Sequence, residues 1–351
     1  MIIRRKGENF YTVYFQFAAG VSLLLIIGLF FLRGNFWHTN QRLGGNKKAT
    51  ITTWPTVSII VPARNEEATI GVTLKSLVDQ LYPGEFTVTV VNDHSTDDTF
   101  DAIDLISSDK INLLEGSKLP YGWTGKLWAL EQGIKFSNAH NPSIDFYLFT
   151  DADVEHPPDS LKMLVEKAEL EKLQLVSLMV RLQCSTVWEK LMIPAFVFFF
   201  QMLYPFKWVN DPNDATAGAA GGCILLKRQA LEMTGGIKAI SNELIDDCAL
   251  GKMIKKVGPI WLGLTKEVKS LRTYANLSEI RMMVVRTAFD QLKYSKLFLA
   301  VTIIAMSMTF LVPPLSLVYG FLFDDYVLVL FGSLSWVIMA TMYLPVQRFY
   351  S

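Results

Sequence analysis

Three runs without a single charge constrain this chain more than any other feature: Tyr11 to Leu32, Leu297 to Phe323 and Tyr326 to Val346. Each reaches the length of about 20 residues that an α-helix needs to cross a bilayer. In hydrocarbon every backbone polar group must find its partner inside the segment, which leaves helix as the economical solution. The first run reads as a retained N-terminal transmembrane anchor, because no small-residue cleavage site follows it in Leu32-Arg33-Gly34-Asn35-Phe36. The other two, parted only by Asp324 and Asp325, read as a C-terminal transmembrane hairpin. Pro313 and Pro314 interrupt its first arm, which marks either a kinked span or a re-entrant segment. A fourth apolar stretch, 191–206, is short for a span and rich in aromatics, so an interfacial, re-entrant or buried core helix would each suit it.

Charge near the spans sets an expected orientation. Lys293 and Lys296 precede the hairpin, Arg348 follows it and its turn has no Lys or Arg, which puts the turn outside and the middle of the chain in the cytosol. The first span is less decisive, since Arg4, Arg5 and Lys6 nearly balance Arg33, Arg42, Lys47 and Lys48. The expectation is an integral protein of an inner or plasma membrane, organised as an anchor and linker (1–50), an α/β domain (51–295) with 191–206 as a possible interfacial segment, and a hairpin (296–351). Basic and acidic side chains number 33 each, and no Lys/Arg-rich run stands out, which argues against nucleic acid as a partner. Cys184, Cys223 and Cys248 lack the paired spacing of a zinc or redox site and read as reduced structural thiols.

Between the spans, strands and helices alternate. Val57 to Val61 reads as a strand, Ala68 to Gln80 as a helix, Phe86 to Val91 as a strand and Thr96 to Ser107 as a helix. This repeat predicts an α/β, Rossmann-like, mostly parallel sheet flanked by helices, with the chemistry at the carboxyl ends of the strands. Phe146 to Thr150 is a further apolar strand, and it ends in Asp151-Ala152-Asp153. In extended backbone, residues i and i+2 point the same way, so both carboxylates can face one hard cation, Mg²⁺ or Mn²⁺, which in turn can hold a diphosphate. A polar turn before a helix is the plainer alternative.

Two other strand ends are equally polar: Pro62 to Glu67, and Asn92 to Asp98. Glu66 and Glu67 suit the first turn of a helix, and Ser95 with Asp98 fits a capping box. Neither role accounts for Asp93, directly after an apolar strand, where a carboxylate can bind a ribose or a base edge or, more plainly, serve as a cap. Lys126 follows a Gly- and aromatic-rich stretch at a helix start, where the dipole disfavours a cation. A phosphate partner would rationalise it, and so would simple exposure on a turn. The run Ala217 to Cys223 allows either close backbone approach to a ligand or a tightly packed bend. Asp246 and Asp247 open another helix, as dipole-stabilised surface acids or, in a cleft, as a general base.

Taken together, the stretches Val61 to Glu67, Val91 to Asp97, Thr150 to Asp153 and Asp246 to Leu250 resemble the family 2 glycosyltransferases of GT-A fold. Within that family, Leu119 to Leu130, the Asp246-Asp247 pair and Arg286 to Ser295 look like the hopene-associated glycosyltransferases. The resemblance implies that Pro62, Arg64, Glu66 and Asp93 line a nucleotide-sugar pocket and that Asp151 and Asp153 form the DxD pair near ribose and metal. It also places Asp247, ahead of Asp246, as the catalytic base of an inverting displacement in which the cation and Lys126 stabilise the departing nucleoside diphosphate. Processive members carry Gln-x-x-Arg-Trp, whereas Gln291 here precedes Leu292-Lys293-Tyr294. The departure favours single transfer to a lipid or isoprenoid acceptor, hopanoid- or carotenoid-like, over polysaccharide synthesis; a non-catalytic membrane scaffold is the remaining alternative.

Overall fold

The computed structural model describes residues 5–44, 51–292 and 294–351, with side chains described except at 5–10 and 286–290. Arg4, Lys47, Lys48 and Lys293 of the orientation argument lie outside the described residues, as do the side chains of Arg5, Lys6 and, in the Arg286 to Ser295 stretch, those of 286–290. The strands are β1 (Val57–Ala63), β2 (Phe86–Asn92), β3 (Ile111–Glu115), β4 (Phe146–Thr150), β5 (Val154–Glu155), β6 (Leu175–Arg181), β7 (Cys223–Lys227) and β8 (Ile260–Ser270). The α-helices are α1 (Arg5–Leu32), α2 (Ile70–Val78), α3 (Thr99–Asp104), α4 (Gly125–His140), α5 (Ser160–Leu170), α6 (Val187–Leu203), α7 (Phe206–Val209), α8 (Arg228–Met233), α9 (Asp246–Ile254), α10 (Leu277–Gln291), α11 (Lys296–Met306), α12 (Val312–Leu322) and α13 (Tyr326–Tyr350).

The chain divides into two compact units. One comprises 40–193 and 206–280 and holds one sheet of eight strands in the order β3-β2-β1-β4-β7-β6-β8-β5. Strands β3, β2, β1 and β4 run parallel, β7 is antiparallel to both neighbours, β6 and β8 are parallel, and β5 is antiparallel to β8. The sheet is therefore mixed, with its parallel half where the βα repeat was read. Central strands such as Phe146–Thr150 are buried along their whole length, which explains their unbroken apolar runs. Helix α2 buries Ile70, Thr73, Leu74 and Leu77, the one-sided spacing that seats a helix on a sheet.

The second unit comprises 1–39, 194–205 and 281–351. Three of its segments, Tyr11–Leu32, Lys296–Leu322 and Tyr326–Tyr350, are long and apolar enough to cross a membrane. Pro313 and Pro314 do not break the middle segment. A π-helical turn at Ser307–Leu311 precedes them, and α12 restarts with the prolines in its first turn, where missing N–H groups cost nothing. The Ser22 hydroxyl of α1 donates to the Met308 carbonyl of that turn at 2.6 Å, and Gln16 Nε2 donates to Asp325 in the hairpin turn at 2.9 Å. Gly332 lies so close to α12 that a Cβ there would sit 2.8 Å from the Pro313 carbonyl, the close approach that small residues permit between apolar helices. Helix α6 carries Pro194 internally and covers most of the apolar 191–206 stretch.

Candidate active site

Four strand ends of the sheet unit and two helix starts converge. The loops after β1 and β2 are stitched together rather than capped. Ser95 Oγ accepts from the Asn65 N–H, Thr99 Oγ1 from the Glu66 N–H, and Asn65 Oδ1 from the Thr96 N–H, at 2.7–3.0 Å. Ser95 and Asp98 thus do not make the expected capping box. Helix α3 starts only at Thr99, so Asp98 is itself the N-cap residue and the Ser95 hydroxyl serves the neighbouring loop. Glu67 likewise lies before α2 and accepts the Asp98 N–H through Oε2.

Asp93 is buried at the end of β2, its N–H donating to the Ala63 carbonyl, with Arg64 Nη1 3.6 Å from its Oδ2. A Cβ at Gly125 would lie 3.0 Å from the same oxygen, so the first turn of α4 rests on Asp93 only because glycine is there. Pro62 stays within β1 opposite Val91.

Lys126, next along α4, is the centre of an acidic cluster. Its Nζ lies 2.6 Å from Asp151 Oδ1 and 3.9 Å from Asp246 Oδ2. Burial alone would pull its ammonium down, but Asp151 and then Asp246 and Asp247 outweigh it and hold the lysine charged well above its usual range. Asp247 accepts the Gly221 N–H on Oδ2 at 2.8 Å and the Cys248 N–H on Oδ1 at 2.7 Å. Burial, with Asp246 beside it, pushes its carboxyl up to about 6. A Cβ at Gly221 would meet Lys126 Nζ at 3.2 Å and Asp247 Oδ2 at 3.4 Å, whereas one at Gly222 would press on Val180 at 2.9 Å. The tightly packed reading of the small-residue run fits Gly222, while Gly221 lets the backbone lie against Lys126 and Asp247.

The Asp-Ala-Asp stretch differs from the expectation in its backbone. Residues 152 and 153 form a turn between β4 and β5 rather than an extended segment, so the i, i+2 argument does not apply. The turn is fixed from below: Thr73 Oγ1 donates to the Ala152 carbonyl at 2.9 Å, and the Leu271 N–H donates to the Asp153 carbonyl at 2.6 Å. Thr150 donates to the Gly222 carbonyl and contacts His156 Nε2 at 2.8 Å. Burial holds that imidazole down at about 4, so it sits neutral under the turn.

Asp151 and Asp153 still feel one another. Burial, then Asp151, then Glu66 raise the Asp153 carboxyl to about 6, against a smaller opposing effect of Arg272. Arg272 lies 3.9 Å from both Asp153 Oδ2 and Glu66 Oε1. It was not anticipated, because β8, with an internal Gly263 and a charged second half, was not read as a strand; the rule that strand ends carry chemistry would have pointed to it. Among the described residues no group of three His, Cys, Asp or Glu side chains forms a self-contained metal cage. Mg²⁺ and Mn²⁺ take one or two carboxylates and complete their shell with substrate phosphates and water, and Asp151 with Asp153 is a donor set of that kind.

Known proteins share this architecture. The chain is 33% identical over 132 residues to a probable glycosyltransferase, YdaM, of Bacillus subtilis, covering 36% of this chain and 31% of that protein. It is 26% identical over 197 residues to the 4,4'-diaponeurosporenoate glycosyltransferase of Staphylococcus aureus, covering 56% and 50%. The chain thus matches half or less of the length of these curated relatives. The mannosyltransferase PcManGT of Pyrobaculum calidifontis, solved with GDP-Man and Mn²⁺, aligns over 96% of this chain and 98% of its own with a TM-score of 0.56 at 17% identity, a likeness of fold. Residues 58–235, just over half of the 351, match the family described as Glycosyl transferase family 2. With a GT-A-like sheet and carboxylates gathered at its strand ends, the chain belongs to glycosyl transferase family 2.

Proposed function

We propose that this glycosyltransferase is membrane-anchored and inverting, and that it moves one sugar from a nucleotide-sugar donor to a lipid or isoprenoid acceptor. The observation that carries the reading is the cluster of Asp151, Asp246 and Asp247 around Lys126, with Asp153 one turn residue away. Such an arrangement suits a reaction in which negative charge leaves on one side while a proton is taken on the other. Asp93, Arg64, Glu66 and Pro62 would border the nucleoside, and Asp151 with Asp153 the diphosphate. A divalent cation bound by this pair would screen the charge growing on the departing diphosphate.

Asp247 removes the proton from the acceptor hydroxyl. The oxygen then attacks the anomeric carbon from the face opposite the diphosphate, the carbon–oxygen bond to the diphosphate breaks, and configuration inverts. Two backbone N–H donors fix the Asp247 carboxylate in place, and each oxygen keeps a lone pair for the incoming proton. Its raised carboxyl makes it a better base than an exposed aspartate would be. Lys126 places a permanent positive charge beside Asp151, where the diphosphate leaves.

A lipid acceptor is supported by three apolar segments of spanning length in one chain and by a relative named for glycosylating the carotenoid-like 4,4'-diaponeurosporenoate. The test is transfer itself: membranes containing the protein are incubated with radiolabelled nucleotide sugars, and lipid is extracted. Label in the lipid fraction that disappears with EDTA and returns with Mn²⁺ or Mg²⁺ supports the reading. Label only in long water-soluble polymer contradicts it.

A further inference from the structure

Among the described residues Arg272 is the one basic group paired with the Asp153 carboxylate, and the transfer step proposed for this site gives it no role. Its backbone is tied on several sides. Ser270 pairs with Val154 in the β5–β8 ladder, the Leu271 N–H donates to the Asp153 carbonyl at 2.6 Å, and the Arg272 N–H donates to Ser270 Oγ at 3.3 Å. Two residues on, the Tyr274 N–H donates to Glu189 Oε1 at 2.7 Å. Glu189 is fully buried and its other oxygen accepts the Ser185 and Thr186 N–H groups at the start of α6. The segment carrying Arg272 is thereby fixed to the sheet at one end and to a buried carboxylate at the other.

The side chain is the opposite. Its guanidinium is 56% exposed and stands 3.9 Å from one oxygen each of Glu66 and Asp153, too far for a hydrogen bond to either. Five N–H donors in a rigid fork are left without a hydrogen-bond partner among the described residues. An exposed, long ion pair of this kind contributes little to stability, so stability does not explain it. A fixed backbone presenting an unsatisfied planar fork suits a ligand with paired anionic oxygens, and diphosphate is such a ligand.

We propose that Arg272 binds the diphosphate of the nucleotide-sugar donor, acting next to Asp153 as Lys126 does next to Asp151. The proposal rests on the donor reading given above. The guanidinium offsets the charge of Asp153 and Glu66. When donor enters, it turns to the non-bridging oxygens and leaves the carboxylates to the cation.

The test is calorimetric titration of the full chain in detergent with Mn²⁺ present, using UDP, GDP and their monophosphates UMP and GMP. Arg272→Gln is expected to weaken binding of the diphosphate that wild type prefers about tenfold or more, and to leave the matching monophosphate within about twofold. Arg272→Lys, which keeps the charge but loses the fork, falls between. Unchanged diphosphate binding in Arg272→Gln, or equal loss for mono- and diphosphate, overturns the proposal. Failure of wild type to bind either diphosphate overturns the donor reading itself, and this proposal with it.

Discussion

Asp153 and Asp247 are held at a cost that the fold does not recover without ligands. Both carboxyls are raised to about 6, burial being the larger cause in each, from an ordinary value near 4. A native carboxyl with a raised value binds its proton more readily than the unfolded chain, so it costs stability above that value, and the cost fades as pH falls from 6 to 4. Asp153→Asn should therefore be more stable than wild type at pH 7 by about 2 kcal/mol in metal-free buffer, with the difference vanishing toward pH 4. Urea unfolding at both values checks this; equal stability at pH 7 contradicts it. The same raised carboxyl on Asp247 predicts an acid limb in the transfer rate with a midpoint near 6, lost below as the base is protonated. Residue identity was legible here: Asp93, Lys126, Asp151, Asp153, Asp246 and Asp247 all stand out as polar residues at strand ends or helix starts. Their partners were not. Lys126 meets Asp151 only 25 residues on, but its approach to Asp246, in a distant part of the sequence, depends on the close packing at Gly221 and on the Thr124 N–H to Ser241 carbonyl bond, which brings the start of α4 to the loop before α9.

At the scale of elements, the βα repeat was readable because its strands are buried on both faces and its helices show one-sided apolar spacing. Strand β7 was legible only as one of two readings of the small-residue run, and not in direction, since the short apolar run Cys223 to Leu226 has no polarity of its own and the chain between β6 and β7 passes through two helices. Capping shows the limit of motif reading most clearly. The Ser95 and Asp98 pair has the right spacing and does not cap, while Thr186-x-x-Glu189 forms the reciprocal pair at α6, Glu189 N–H to Thr186 Oγ1 at 3.1 Å and Thr186 N–H to Glu189 Oε2 at 2.9 Å. Helix α2 acts on the site through the buried Thr73 hydroxyl beneath the Ala152 carbonyl. Thr73→Val keeps the shape and orphans that carbonyl, which should cost roughly 1–3 kcal/mol and lower the transfer rate. An unaltered rate and unfolding midpoint would show that the turn does not depend on α2.

For the whole molecule, apolar length alone identified three segments able to span a membrane, and the packing among them explains features that sequence left open. The Ser22 hydroxyl satisfies a carbonyl in the π-helical turn before Pro313, and Gly332 lets α13 approach α12. Carbonate washing at high pH should leave the full chain in the membrane pellet; release into the supernatant would count against spanning segments. A membrane-anchored transferase whose carboxylate site serves a lipid acceptor must put donor label into lipid by way of Asp247. Membranes holding wild type or Asp247→Asn, at matched protein levels, are given radiolabelled nucleotide sugar with Mn²⁺, and label in extracted lipid is counted. Lipid-linked label is expected in wild type, with a loss of about a hundredfold to ten-thousandfold in Asp247→Asn. Equal labelling by the two proteins would contradict it.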